Sequence, residues 1–265
     1  SSNGQYITLT TNGYAQGFTI GFGAIYCSND YGATFTDRST LGGNIRWVST
    51  DMSSNGQYQV ACTNQGQTNS PVIHRSINYG VTWTFEALIL DLNDIAMSSD
   101  GRYQSATADA GIYRSSDYGD NWALAYQDFS QINGYYTTLN TDWRGGISVS
   151  ADGRYQIAGL TAAQGLFRSG PFYYVTTFPG YLLTSSNYGV TWQRTNFRDS
   201  WGSCNLSPNG LHMLAGSRNG NFYTSRTDGA DTVYGTYYSR AFNAVQYLRN
   251  IKNWTVQFVQ GFFGI

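Results

Sequence analysis

Charge is scarce in this sequence. Charged residues make up 12% of the 265-residue chain, against roughly 25% in soluble globular domains. Of fifteen basic residues only Lys252 is a lysine, and Glu86 is the only glutamate. A formal net charge of −1 gives no electrostatic footprint for nucleic acid or for an anionic membrane surface. Three cysteines, Cys27, Cys62 and Cys204, are too few and too scattered for a disulfide framework and lack metal-site spacing, so they read as buried free thiols. No apolar run approaches the roughly 20 residues that span a bilayer, so no membrane insertion is expected. Glycine-rich phosphate loops are also missing, and no cofactor or metal is expected. With no leader and no initiator methionine, the chain is expected to begin after processing or inside a longer product.

What the chain has instead is glycine (31), tyrosine (22) and an apolar content of 41%, enough to bury a core and to exclude disorder. It also repeats itself. One family of segments reads SSNGQYITLT from Ser1, SSNGQYQVAC from Ser53, SSDGRYQSAT from Ser98, SADGRYQIAG from Ser150 and SPNGLHMLAG from Ser207. A second family alternates with it: SNDYGATF from Ser28, SINYGVTW from Ser76, SSDYGDNW from Ser115 and SSNYGVTW from Ser185, with a worn copy from Ser225. The period of 45 to 57 residues lies in the range of propeller blades. Asn-Gly or Asp-Gly between alternating apolar runs signals a hairpin, expected here as a type I′ turn with both central residues at positive φ. Each repeat then holds four short strands. The expected fold is all-β, a single β-propeller of four-stranded antiparallel blades over residues 1–265.

The second family obeys S-x-[DN]-x-G-x-[TN]-[WF] and resembles the Asp-box, or BNR repeat, of sialidase-like β-propellers. Physics gives it a structural task. Asp30, Asn78, Asp117 and Asn187 can accept backbone hydrogen bonds within a turn. Gly32, Gly80, Gly119 and Gly189 open backbone conformations closed to other residues, and Phe35, Trp83, Trp122 and Trp192 can wedge against a neighbouring blade. Asn in place of Asp keeps the acceptor and loses the charge, which a reagent could not tolerate and a turn can.

Five hairpin turns are present, yet the first repeat lacks its first strand. The C-terminal run NWTVQFVQGFFGI can supply it, so residues 240–265 are expected to close a five-bladed ring. The alternative is an excerpt of a six- or seven-bladed propeller.

The repeat motifs mark one end of the blades, so function belongs with the long loops at the other. These carry Phe129, Tyr135, Tyr136, Trp143, Phe172, Tyr173, Tyr174, Trp201, Tyr237 and Tyr238, suited to a glycan or a protein partner. The resemblance implies an arginine triad, a Tyr/Glu nucleophile pair and an Asp acid/base. Arg46, Arg144 and Arg198 precede three inner strands, but the family's N-terminal arginine motif is missing and Glu86 has no evident tyrosine partner. A general glycosidase needs only two facing carboxylates; Asp142, Asp199 and Glu86 are the candidates, with Asp91 and Asp94 also near inner strands. His74 and His212 read as structural, and Asn253 is a glycosylation acceptor only if the chain is secreted. The reading is a non-catalytic binding or structural module of an extracellular surface, capsid, fibre or cell-surface layer, open to assembly into a particle or filament. A sialidase-like glycoside hydrolase using loop aspartates is the alternative.

Overall fold

The structure is a computed structural model that describes residues 1–11, 14–16, 19–21, 23–39, 46–64, 73–86, 92–109, 111–127, 131–132, 135–136, 139–142, 144–169, 172–227 and 233–238. The described residues form antiparallel sheets that follow the repeat. In chain order, blade 1 holds β1 (Ile7–Thr11), β4 (Ala24–Ser28) and β5 (Thr36–Asp37), with a small hairpin of β2 (Tyr14–Gln16) and β3 (Thr19–Gly21) between its first two strands. Blade 2 is β6 (Arg46–Met52), β7 (Gln59–Asn64), β8 (Ile73–Ser76) and β9 (Thr84–Glu86). Blade 3 is β10 (Leu92–Met97), β11 (Gln104–Ala108), β12 (Gly111–Ser115) and β13 (Ala123–Tyr126), followed by a hairpin of β14 (Gln131–Ile132) and β15 (Tyr135–Tyr136).

Blade 4 departs from the simple pattern. Its blade strands are β17 (Ile147–Val149), β18 (Gln156–Gly159), β20 (Phe172–Ser185) and β21 (Gln193–Asp199). The stretch expected as a loop after Thr161 is instead a long hairpin. There β19 (Ala162–Ser169) pairs with the first half of β20, from Ala162↔Pro179 to Ser169↔Phe172, and β16 (Leu139–Asp142) pairs with β19. Its aromatic and β-branched residues favour a strand. Blade 5 is β22 (Trp201–Leu206), β23 (His212–Ser217), β24 (Phe222–Thr227) and β25 (Val233–Tyr238). The proposed closing segment, residues 240–265, lies outside the described residues.

The core lies between blades rather than within them. Ile25 and Cys27 of blade 1 share a buried cluster with Trp47, Ala61 and Trp83 of blade 2. Val60, Cys62 and Ile73 of blade 2 do so with Leu92, Ile95 and Ala106 of blade 3. Ala96 and Ile112 pack with Ile147, Ala158 and Trp192, and Ile157 and Leu182 with Trp201, Met213 and Ala215. All three cysteines are buried and unbridged.

The turns at the repeated end differ from expectation in one respect. Only the glycine of each Asn-Gly or Asp-Gly pair has positive φ, from Gly210 at 70° to Gly153 at 81°. Its N–H closes on the serine carbonyl three residues back, as from Gly153 to Ser150 at 2.9 Å. The preceding Asn or Asp spends its side chain on the turn instead: Asp152 accepts from the Ser150 hydroxyl (2.6 Å) and the Arg154 N–H (3.0 Å). This is a type I-like turn followed by a left-handed glycine.

Neighbouring hairpin turns are tied by a belt of backbone bonds. Ser2 N–H donates to Ser54 O, Ser54 to Ser99, Ser99 to Ala151, and Ala151 to Pro208, at 2.7 to 2.9 Å.

Candidate functional site at the loop end

The octet SSDYGDNW is a turn. Ser115 Oγ accepts from Gly119 N–H at 3.0 Å and donates to Asp117 Oδ1 at 2.7 Å. Asp117 Oδ1 also accepts from Asn121 N–H at 3.0 Å. The same bonds recur at Asp30, Asn78 and Asn187. A further side-chain bond, in which Thr34 Oγ1 or Asn121 Nδ2 donates to Asp30 or Asp117 Oδ2, reverses at the two asparagines, where Nδ2 donates to Thr82 or Thr191 Oγ1. At Asp30, hydrogen bonds led by the Thr34 hydroxyl hold the carboxyl down at about 2. Trp83 and Trp192 are buried, each Nε1 donating to the glycine carbonyl of its own box, Gly80 and Gly189. Phe35 in blade 1 stands 41% exposed.

One detail was unread in the sequence. The residue before each box glycine is tyrosine in all four copies, and Tyr31, Tyr79, Tyr118 and Tyr188 all have φ of 61 to 63°. Three of them stack on a hairpin tyrosine of the preceding blade: Tyr79 on Tyr6, Tyr118 on Tyr58 and Tyr188 on Tyr103, with ring centroids 4.5 to 4.8 Å apart. Their invariance within the chain was the available signal.

The opposite end is where the strand pattern opens. A cavity of about 720 Å3 lies where the inner strands β6, β10, β17 and β22 begin. Arg46, Trp47, Asn93, Asp94, Arg144 and Asn205 are among its lining residues. Arg46 and Arg144 are exposed. Among the described lining residues Asp94 is the only carboxylate, and both its oxygens are engaged. Oδ1 accepts from Ile95 N–H and Oδ2 from Ile147 N–H, each at 2.9 Å, so it ties blade 3 to blade 4. Cys204 also lines the cavity, but its buried thiol donates to Gly146 O at 3.3 Å. Burial, with Asp94 nearby, pushes that thiol far above its ordinary range and leaves it no nucleophile.

The carboxylate candidates do not meet there. Asp199 ends β21 and is buried; its oxygens accept from Asn219 Nδ2 (2.6 Å), Asn221 Nδ2 (3.1 Å) and Ser200 N–H (2.7 Å), the bonds of a strand-end cap. These bonds outweigh burial and hold its carboxyl below the usual range. Glu86 ends β9, the outermost strand of blade 2, and Asp142 ends β16, paired with Ala162; the side chains of both lie outside the described residues, as does Asp91. Of the three arginines, Arg46 and Arg144 reach the cavity, whereas Arg198 on β21 lies over the Tyr181 ring at 4.7 Å.

Of the recognition aromatics, Trp201 is wholly buried and packs edge-on to Tyr223 at 4.7 Å, so it is core and not surface. Tyr135 and Tyr136 form one arm of the β14–β15 hairpin, Phe172, Tyr173 and Tyr174 open β20, and Tyr237 and Tyr238 close β25. Their side chains, and all of Trp143 and Phe129, lie outside the described residues. His74 is buried edge-on to Trp47 at 4.8 Å. His212 is an exposed strand residue.

No protein-family model matches the sequence, and no curated protein matches it. Solved structures do. The chain is similar to the GH74 xyloglucanase from Xanthomonas campestris, with a TM-score of 0.54 at 13% identity over 85% of this chain and 35% of that one. It is similar to YCF48 bound to D1 peptide, with a TM-score of 0.51 at 13% identity over 89% and 71%. It is also similar to the Cps50 (Swd1) β-propeller domain of Myceliophteria thermophila, with a TM-score of 0.56 at 11% identity over 87% and 64%. The chain spans about a third of the xyloglucanase. The likeness establishes the architecture, a β-propeller of four-stranded antiparallel blades, and nothing about chemistry.

Proposed function

We propose that this chain is a non-catalytic binding module, an Asp-box propeller of the sialidase-like kind, that takes an acidic glycan or an acidic protein segment at the loop end. The observation that carries this reading is the cavity itself. Two exposed arginines, Arg46 and Arg144, line it together with a carboxylate that already accepts two backbone N–H groups. Arginine forks bind carboxylates, sulfates and phosphates with two parallel bonds, and Asn93 and Asn205 add amides at the same rim. Glycoside hydrolysis needs a second, protonatable carboxyl across the bond; the described lining residues offer none.

The setting proposed is an extracellular surface or an assembled particle. Arginine in place of lysine, few charges and many tyrosines support it. The test is an array of carboxylated and sulfated glycans and acidic peptides, run beside a panel of fluorogenic glycosides. Binding without turnover is expected, weakened at least tenfold by Arg46→Ala with no change in melting temperature, and weakened also by Arg144→Ala. Turnover that disappears in Asp142→Asn or Asp199→Asn would overturn the proposal in favour of the hydrolase.

A further inference from the structure

Arginines at the two ends of the blades are used differently. At the turn end they are spent on the fold. Arg75 pairs with Asp120 and donates to Tyr118 O, Arg102 donates to Ser116 O, and Arg154 donates to Ser186 O. At the loop end Arg46 and Arg218 are exposed, and neither guanidinium has a hydrogen-bond or ion-pair partner among the described residues.

Arg218 stands in the turn between β23 and β24, a position that the sequence did not single out. Its backbone N–H donates to Ser200 O at 2.7 Å, which fixes the base of the turn. Its stem lies against Gly202, where a Cβ would come within 3.3 Å of Arg218 Cγ. Gly202 and its neighbour Ser203 line the cavity. The stem of Arg218 therefore crosses the cavity rim on blade 5, while Arg46 lines the cavity from blade 2. The nearby Asp199 is not its partner, because that carboxylate is buried and accepts from Asn219, Asn221 and the Ser200 N–H.

Two cations on different blades call for two acid groups, since one carboxylate or sulfate fills one guanidinium fork. The lining between them is polar. Ser203 and Asn205 present a hydroxyl and an amide, whereas Trp47 and Ile147 are buried. Peptides anchor through large side chains in desolvated pockets, and sugar hydroxyls pair with amides and hydroxyls. Resting on the binding reading above, we propose that Arg218 forms a second anion subsite on the cavity rim. The ligand is then a glycan chain with acid groups on successive sugars, one seated at Arg46 and a later one at Arg218.

The test is titration calorimetry on the full chain with galacturonate oligomers of one to four sugars. Sulfated oligosaccharides and oligo-aspartates of the same lengths are run beside them. Single sugars should bind weakly and without regard to Arg218. Affinity should step up by roughly tenfold, the worth of one charge-assisted contact, at the first length that reaches both arginines. Arg218→Ala should remove that step and leave single-sugar affinity unchanged, and Arg218→Lys should keep part of it. Arg46→Ala should weaken every length, and Arg102→Ala, which removes a charge from the turn end, should leave the step in place. Extra binding registers raise affinity only in proportion to chain length, and that part survives Arg218→Ala. An affinity that stays flat across the lengths, or a full step that persists in Arg218→Ala, would overturn the second subsite and leave the cavity reading standing. An Arg218-dependent step seen with oligo-aspartates alone would overturn the glycan assignment. Failure of every probe to bind would remove the cavity reading, and this inference with it.

Discussion

The two ends of each blade obey different rules. At the turn end the same atoms do the same work in blade after blade: a serine hydroxyl closes the box, an Asp or Asn oxygen holds its turn, and a tyrosine rests on a glycine of the next blade. At the loop end the described lining residues differ from blade to blade; the cavity takes Arg46 from blade 2, Asn93 and Asp94 from blade 3, Arg144 from the segment entering blade 4 and Asn205 from blade 5. Residues that must match a neighbour are locked into a shared pattern, and residues released from matching are free to recognise something else. Substitutions at the turn end should therefore register as stability, and those at the cavity as binding.

The largest break in that comparison is expected at a hairpin glycine. Gly153 has φ of +81°, and a Cβ there would lie 2.4 Å from Tyr103 Cδ2. Left-handed backbone costs a residue with a Cβ roughly 1–2 kcal/mol, and overpacking adds about 1–3. Gly153→Ala should thus lose about 2–5 kcal/mol in chemical denaturation, with acidic-ligand affinity unchanged in the protein that stays folded. A loss under about 0.5 kcal/mol, the size of an ordinary surface change, would show that the tyrosine seat can move.

The turn end was readable from sequence because its constraints are local. Asn-Gly, Asp-Gly and the serine octets each carry their bonding partners within five residues, so spacing alone displays them. The Asp-to-Asn exchange at positions 78 and 187 already argued for joinery, and the reversed Thr82 and Thr191 bonds agree with that argument. The turn type escaped, because whether Asn is left-handed or bonds its own turn is a choice between two local minima with the same sequence signature. Trp201 escaped for a different reason: an aromatic beside a glycine reads equally as loop or core, and only the Tyr223 ring and the buried cluster between blades 4 and 5 decide it. The cavity could be anticipated as an end of the molecule but not as a residue set. Its members come from strands far apart in sequence, and Arg198 looked equivalent to Arg46 and Arg144 until its place over Tyr181 was known.

A smaller effect separates two carboxyls by pH. Asp51 links blade 2 to blade 3, accepting Met97 N–H at 2.7 Å. Burial, with Asp94 nearby and the Ser1 amino group opposing, pushes its carboxyl up to about 6. The folded pKa is raised above an unfolded value of about 3.9, so the folded state binds the extra proton. That contribution is fully present below about pH 4 and is lost as pH rises through about 6. Asp30 has the opposite sign: its contribution is present above about pH 4 and disappears as pH falls towards 2. Denaturation midpoints should therefore rise from pH 7 to pH 4.5 and fall below pH 3.5. Asp51→Asn should flatten the first limb and leave the second; a first limb that survives the substitution would assign it to another group.

The smallest effect tests most sharply how consecutive blades are joined, because it calls for a gain. Val60, the second residue after Tyr58, stands where Thr8 stands after Tyr6 and Ser105 after Tyr103, and by that position it is matched with Gln104 of the next blade, whose buried Oε1 has no hydrogen-bond partner. A hydroxyl at that site completes the pair as it does in Thr8–Gln59 and Ser105–Gln156. Val60→Thr keeps the shape and satisfies the orphaned acceptor, so it should stabilise the fold by about 0.5–1.5 kcal/mol, the net worth of one hydrogen bond. The same exchange two joints further on, Ile157→Thr, puts a hydroxyl into the cluster with Met213, whose thioether is a poor acceptor, and should destabilise by about 1–3 kcal/mol. If the two substitutions shift stability in the same direction, the pairing of these residues across the blade joints is coincidence.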